Sequence, residues 1–270
     1  MNDEFGDRMK LYEGAEAARR LMPLLPACAR LDGKGFHNFT KGMERPYDAR
    51  LSALMVDCCT YLVQETNACM GYTQSDEITL AWLSGDYYSQ IFFDGRIQKM
   101  VSVLSSMCAT YFNESFAHRF GGWPRPGLAN FDCRVWNVPN ADEGANVFLW
   151  REKDATKNSI SMAARAYFSH KQVDNKNGSE MQEMLWQKGI NWNDYPAFFK
   201  RGTFVSRRVQ LRKFTATELD KLPERHEARR NPDLMIERTE YVQLDMPPFG
   251  KVINRPAVVF DGADPALLQE

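Results

Sequence analysis

Gly71-Tyr72-Thr73-Gln74-Ser75-Asp76-Glu77-Ile78-Thr79-Leu80 decides the reading of the fold. Two runs of strand-forming residues meet at a short polar corner, and the corner carries two adjacent carboxylates, Asp76 and Glu77. An acidic pair in a tight turn gains nothing from burial and suffers like-charge repulsion unless a cation sits beside it. A divalent metal is one such cation. An earlier corner, Ala29-Arg30-Leu31-Asp32-Gly33-Lys34-Gly35-Phe36-His37, has the same character. Alone, each corner reads as a turn and no more. Their relation depends on the order of the elements around them.

Residues 3–20 read as a helix, with Phe5, Met9, Leu11, Tyr12 and Ala17 at helical spacing and Pro23 and Pro26 ending it. Residues 27–32 read as a buried strand stopped by Gly33 and Gly35. Pro46-Tyr47-Asp48 opens a helix with Asp48 as N-cap, and Leu51, Leu54, Met55, Cys58 and Leu62 give it one buried face up to Thr66. Residues 68–74 and 77–83 pair as a hairpin. A second amphipathic helix carries Ile97, Val101, Leu104, Cys108 and Tyr111, and residues 131–138 form a strand. From 27 to 138 the order is strand, helix, strand, strand, helix, strand, the split βαβ, ferredoxin-like order. In that fold the first and third strands are central, adjacent and antiparallel. Asp32, ending the first, then lies beside Asp76, ahead of the third. Two carboxylates and a backbone carbonyl can hold two Mg²⁺ and leave positions for phosphate oxygens. The same layout forms the palm of polymerases and nucleotide cyclases. The expected class is α+β, in one compact unit over 1–270: an N-terminal helix, a ferredoxin-like palm over 20–140, and an extension of helix, basic segment and short strands over 141–270.

Other features leave alternatives open. Gly33-Lys34-Gly35 lets the backbone approach a phosphate, although spacing alone fits a glycine-rich turn more simply; the Walker A spacing is absent. Arg96 and Lys99 fall in the first turn of the second helix, where cations oppose the helix dipole. A bound polyphosphate or ordinary solvated surface accounts for them. A long helix spans 141–170, a loop with Asn175, Asn177 and Gly178 follows, and a short helix lies near 179–188. Lys200, Arg201, Arg207, Arg208, Arg212 and Lys213 are the densest cationic run, suited to a nucleic-acid backbone, a subunit partner or a charge-protected strand edge. Residues 121–127 read as a loop, and the last fifty residues as short strands and turns. A net charge of −1 argues against a general polyanion binder and leaves room for a local basic face. No apolar run approaches the ~18 residues of a membrane span, and no signal-peptide pattern opens the chain. The six cysteines form no C-x-x-C pair and read as reduced core residues of a cytoplasmic protein.

These residues resemble the tRNA-His guanylyltransferase superfamily, and within it the guanylyltransferase-like branch of 3′–5′ RNA polymerases. The resemblance runs from Gly6-Asp7-Arg8-Met9-Lys10 to about Val205. It is carried by the two acidic corners, by Arg45-Pro46-Tyr47-Asp48-Ala49-Arg50 and Phe131-Asp132-Cys133-Arg134, by Trp150-Arg151 with Asp154 and Asn158, and by Lys200-Arg201-Gly202-Thr203. It implies Asp32, the carbonyl of Gly33 and Asp76 as holders of two Mg²⁺, with both aspartates catalytic. It implies a triphosphate cradle from Gly33, Lys34, Gly35, Phe36 and His37 with Ser75, phosphate contacts from Arg96 and Lys99, and nucleotide contacts from Arg45 and Asp48. Glu77 and Asn158 take supporting positions, and Lys200, Arg201, Arg207 and Arg208 an RNA contact. The implied substrates are tRNA with GTP or ATP, and the implied assembly is a tetramer. Two departures stand out. Thr156-Lys157-Asn158-Ser159 replaces the His-Ile-Asn-Asn motif of the eukaryotic enzymes, which favours template-dependent repair of a tRNA 5′ end over addition of one extra G. Cys133 stands where the family has Gly. Another palm enzyme, such as a nucleotide cyclase, or a non-catalytic tRNA binder are the rival readings.

Overall fold

The computed structural model describes residues 3–123, 127–231 and 233–268; Pro124, Arg125 and Pro126 of the expected 121–127 loop lie outside them. The helices are α1 (Glu4–Ala17), α2 (Phe36–Phe39), α3 (Ala49–Thr66), α4 (Ile97–Arg119), α5 (Ala141–Tyr167), α6 (His170–Val173), α7 (Gly178–Trp186), α8 (Ala197–Arg201), α9 (Ala216–Lys221) and α10 (Arg255–Phe260). The strands are β1 (Ala27–Gly33), β2 (Met70–Gln74), β3 (Glu77–Trp82), β4 (Phe131–Asn137), β5 (Thr203–Lys213) and β6 (Met235–Leu244). They form one six-stranded antiparallel sheet in the order β4-β1-β3-β2-β5-β6. The first four strands are those expected from the acidic corners, in the ferredoxin-like arrangement.

Local chemistry explains the elements nearest the site. Asp48 caps α3 by accepting the Arg50 N–H at 3.0 Å, and Asn67, left-handed at φ 53°, ends it. Leu54, Met55, Cys58, Cys59, Leu62 and Val63 form its buried stripe. The β2–β3 hairpin closes through Gln74 opposite Glu77, with Ser75 at φ 56° supplying the left-handed turn residue. β1 lies between β3 and β4 and alternates between two cores. Ala29 and Leu31 join the cluster under α3 and α4, whereas Cys28 joins the opposite cluster under α5 and α10. All six cysteines are free and buried.

The C-terminal region differs from expectation. The last fifty residues are not only short strands and turns, since β6 is ten residues long and pairs with β5 along its length. β5 itself adds to β2 through Thr203–Ser206. The extension therefore widens the palm sheet. Its alternation is obscured in sequence because charged residues occupy both faces of the strand. The apolar residues of α1 also lack the partner that their spacing suggested: Phe5, Met9, Leu11 and Tyr12 are all exposed.

Candidate active site

The register sets the two acidic corners side by side. Asp32 pairs with Glu77, and the Gly33 N–H donates to the Asp76 carbonyl at 3.1 Å. Burial is the main cause that raises the Asp76 carboxyl above its ordinary value. The Ser75 hydroxyl, donating at 3.0 Å, opposes the rise, and the neighbouring Asp32 charge adds to it. Among the described residues neither Asp32 nor Asp76 has an ion-pair partner. Glu77, next in the chain, has two. Arg151 of α5 grips it with Nη2 at 2.8 Å, and the Arg30 Nε lies at 3.9 Å. Burial raises Glu77, and those two guanidiniums lower it.

Arg151 also reaches Asp154 at 2.9 Å, and the Asn158 amide approaches the same carboxylate at 3.5 Å. Glu77 and Asn158 thus share one chain of contacts behind the turn. Its central member, Arg151, had no assigned role in sequence. A long-range pair between a helix and a hairpin leaves no local spacing signal, and only its nearness to Asp154 in the chain hinted at a charged cluster.

The glycine loop is built for closeness. A Cβ at Gly33 would lie 2.3 Å from the Phe36 ring, and Gly35 is left-handed at φ 67°. Phe36 and Phe39 stack at 5.2 Å and pack against Phe112, with Phe36 also meeting Phe131 at 5.3 Å. This aromatic knot fixes the loop. The N–H of Gly33 goes to Asp76 and that of Lys34 to Asn130 at 2.8 Å. They are therefore unavailable to a phosphate, which narrows the expected cradle to the amides of Gly35, Phe36 and His37.

Beside the turn, Arg45, Asp48, Ser75, Tyr47, Gln74 and Phe198 line a cavity of about 90 Å³. It joins three of the expected nucleotide residues. The Asp48 carboxylate is saturated, however: the Arg50 side chain binds it at 3.0 and 2.7 Å and lowers it below the usual carboxylate range. The Asp48 carbonyl already accepts from the Ser52 N–H at 3.0 Å and the Ser52 hydroxyl at 3.3 Å, which leaves the Asp48 backbone N–H for a ligand.

Two expected groups lie elsewhere. Arg96 and Lys99 open α4, where the Leu21 N–H meets the Gly95 carbonyl, beside the Ala27 end of β1. Asp32 is five register positions away, roughly 17 Å along the strand. The structure does not bring them together within one chain. The cationic run is also only partly free. Arg201 faces Glu152 at 3.6 Å and the Met246 carbonyl, Arg208 pairs with Asp264 at 2.9 Å, and Arg212 pairs with Glu218. Lys200 reaches the Asn193 carbonyl, and Arg207 is half-buried against the Cys69 sulfur. Carboxylates offset Arg201, Arg208, Arg212 and Lys213, whereas Lys200 and Arg207 have no carboxylate partner among the described residues.

Among the described residues no three His, Cys, Asp or Glu side chains converge to hold a metal. Two unpaired carboxylates and the Gly33 carbonyl are nevertheless hard oxygen donors of the kind magnesium takes, with its remaining positions filled by phosphate and water. No helix among them is long and apolar enough to cross a membrane.

A β4-β1-β3-β2 sheet with two unpaired aspartates at its central strand end, beside a small cavity, is the layout of a palm-type nucleotide enzyme. The family model for tRNA-His guanylyltransferase matches residues 6–139. A bacterial tRNA(His) guanylyltransferase-like protein in complex with ATP is 42% identical, over 75% of this chain and 88% of its own, with a TM-score of 0.70. A bacterial protein of the same description in complex with GTP is 34% identical, over 92% and 95%, with a TM-score of 0.70. The tRNA(His) guanylyltransferase of Schizosaccharomyces pombe is 29% identical over 73% of this chain and 78% of its own. The chain belongs to the tRNA-His guanylyltransferase family of nucleotidyltransferases.

Proposed function

We propose that this protein adds nucleotides to the 5′ end of tRNA, working in the 3′–5′ direction. The 3′-oxygen of an incoming nucleoside triphosphate bonds to the phosphorus attached to the RNA 5′ oxygen at an activated 5′ end. The bond to pyrophosphate, or to AMP when the end is adenylylated, breaks, and the hydroxyl proton leaves to solvent. The observation that carries the reading is the pair Asp32 and Asp76, set together by strand register without a cation although Glu77 beside them has two.

Asp32, Asp76 and the Gly33 carbonyl would hold two magnesium ions, which supply Lewis acidity toward the attacking hydroxyl and offset phosphate charge. The chain's own groups do the positioning. The amides of Gly35 to His37, with Ser75, receive the triphosphate, and the cavity with Arg45 and the Asp48 backbone takes the nucleoside. The bacterial relatives solved with ATP and GTP support these as ligands here. Arg151 holds Glu77 so that the turn bearing Asp76 keeps its place. Arg96 and Lys99 serve a nucleotide at this site from a second copy in a tetramer, a reading supported by the exposed apolar residues of α1. Lys157 and Asn158 are exposed where the eukaryotic enzymes carry Ile and Asn, in keeping with repair of truncated ends.

The test uses tRNA lacking its 5′ nucleotide, either as a triphosphate or as a monophosphate with ATP, plus Mg²⁺ and labelled nucleotides. One added nucleotide complementary to the opposing strand, abolished by Asp76→Ala, is the expected result. RNA that is bound but never extended, with cyclised or linear dinucleotide products from free nucleotides, overturns it in favour of another palm chemistry.

A further inference from the structure

Arg201, Arg208, Arg212 and Lys213 of the 200–213 run are paired with carboxylates, and the fold offers the RNA terminus a second seat nearer Asp32. On β4, β1 and β3 the pairings Asp132–Asp32–Glu77 and Arg134–Arg30–Thr79 form two rows, and paired residues point to the same face. α5 covers the β3 end of these rows: Thr79 is fully buried and the Glu77 side chain is 15% exposed. The β4 end is open, with the Arg134 and Asp132 side chains 56% and 55% exposed. Their ion pair, 3.4 Å long, is a solvated surface contact and costs little to exchange for a phosphate.

Trp150 of α5 stands at the margin of this opening. It is 52% exposed, yet it is held. The Arg151 guanidinium lies 4.5 Å from its centroid and that of Arg30 5.8 Å. Both guanidiniums bind the one Glu77 carboxylate, which anchors the groups that pack on the indole while half of its surface stays exposed. A half-exposed aromatic near an exposed arginine, two register positions from Asp32, is a stacking platform with a phosphate anchor.

We infer that this shelf seats the 5′-terminal nucleotide of the acceptor RNA, with Trp150 stacking on its base and Arg134 binding its phosphate. The inference rests on the proposed 5′-end transfer and names where its RNA substrate lies. It puts the RNA on the β4 side of Asp32, opposite the nucleoside cavity on the β2 side.

The experiment measures binding by fluorescence anisotropy, using tRNA that lacks its 5′ nucleotide and carries 2-aminopurine at the new 5′ end. GTP affinity is measured alongside. Trp150→Ala is expected to weaken RNA binding roughly 5- to 150-fold and raise the KM for RNA, with GTP affinity unchanged. Trp150→Phe should recover most of the loss. Wild-type protein should quench the 2-aminopurine and Trp150→Ala should not. Arg134→Ala should flatten the slope of log affinity against log salt by about 1. Wild type that extends the RNA while Trp150→Ala and Arg134→Ala bind within twofold of it overturns the shelf and leaves the transfer reaction standing. If Trp150→Ala does not fold, Arg134→Ala and the wild-type quenching decide the matter: no quenching and an unchanged salt slope overturn the shelf. Wild type that neither binds nor extends the RNA overturns both.

Discussion

Replacing Arg151 by Met removes the one group that both compensates Glu77 and ties the acidic turn to α5. The Arg151 side chain is 9% exposed and that of Glu77 15%, so solvent screens the pair only weakly. Breaking a buried pair from one side leaves a desolvated charge and typically costs about 3–5 kcal/mol, against about 0–1 kcal/mol for a solvated pair. For a chain of this size that is a fall of roughly 6–20 °C in Tm. Arg151 keeps Asp154 when Glu77 is lost, so Glu77→Gln should cost less than Arg151→Met. In the double variant the orphaned carboxylate is gone, and part of the loss should return as a coupling of roughly 1–3 kcal/mol. Thermal and urea unfolding of the four proteins measure the cycle. Activity assayed well below each Tm should also fall in Arg151→Met, because the turn carrying Asp76 loses its brace. A Tm within 2 °C of wild type, or strictly additive effects, would refute the account of Glu77 as a buried, Arg-dependent carboxylate.

Other substitutions probe other parts of the argument. Asp76→Asn should abolish nucleotide addition yet raise stability in EDTA by up to about 1 kcal/mol, because it relieves the Asp32–Asp76 repulsion; a fall in Tm without metal counts against an uncompensated pair. Gly202→Ala, at φ 78° with its Cβ 2.5 Å from the Tyr72 hydroxyl and 2.7 Å from the Thr73 carbonyl, should cost about 2–4 kcal/mol in urea unfolding; a loss under 1 kcal/mol would show that the β2–β5 junction yields. Burial pushes the thiols of Cys28 and Cys133 up to about 12, so the native protein should react slowly with Ellman's reagent and expose six thiols in denaturant. Rapid labelling of the native chain would contradict the packing. Burial also raises Glu152 above its ordinary 4.5, against the lowering by the Phe249 N–H and Arg201. Folding therefore favours its protonated form, and ionisation withdraws stability as pH climbs from about 4.5 to the raised folded value. Relative to wild type, Glu152→Gln should gain stability across that window and then level off; a gap that stays flat or narrows with rising pH sinks the assignment.

Strand alternation and the two acidic corners made the four palm strands legible, because each signal was local: an apolar run, a polar corner, a cap such as Asp48. That Asp32 lies beside Asp76 followed from topology alone. What escaped was non-local. β6 carries Glu237, Arg238 and Glu240 among its apolar positions and looks like turn-rich surface until β5 is set beside it. Arg151 finds Glu77 across 74 residues of chain, a distance no spacing rule covers. Arg96 and Lys99 lie away from Asp76 for a geometric reason. α4 runs antiparallel to β3, so residues that open the helix sit at the strand end away from Asp76, although they follow it by only about twenty positions in sequence.

The ionisable groups of this chain sort by whether the protein itself compensates them. Arg201, Arg208, Arg212 and Glu218 are charged, clustered and spent on one another or on nearby carboxylates and carbonyls. A cluster of that kind contributes to the fold whatever its density in sequence. Asp32 and Asp76 are the reverse. They are few, partly buried and mutually repulsive, and the guanidiniums within reach are committed to Glu77 instead. Folding gains nothing from that arrangement, so its stabilising partner must come from outside the chain. In the proposed reading a bound cation with a triphosphate would supply the missing positive charge on one side, and Arg134 with Trp150 would offer an anion and a base a seat on the other. The same test, applied before any motif is consulted, lowers the weight of Arg201, Arg208, Arg212 and Lys213 and keeps the corner at Ser75-Asp76.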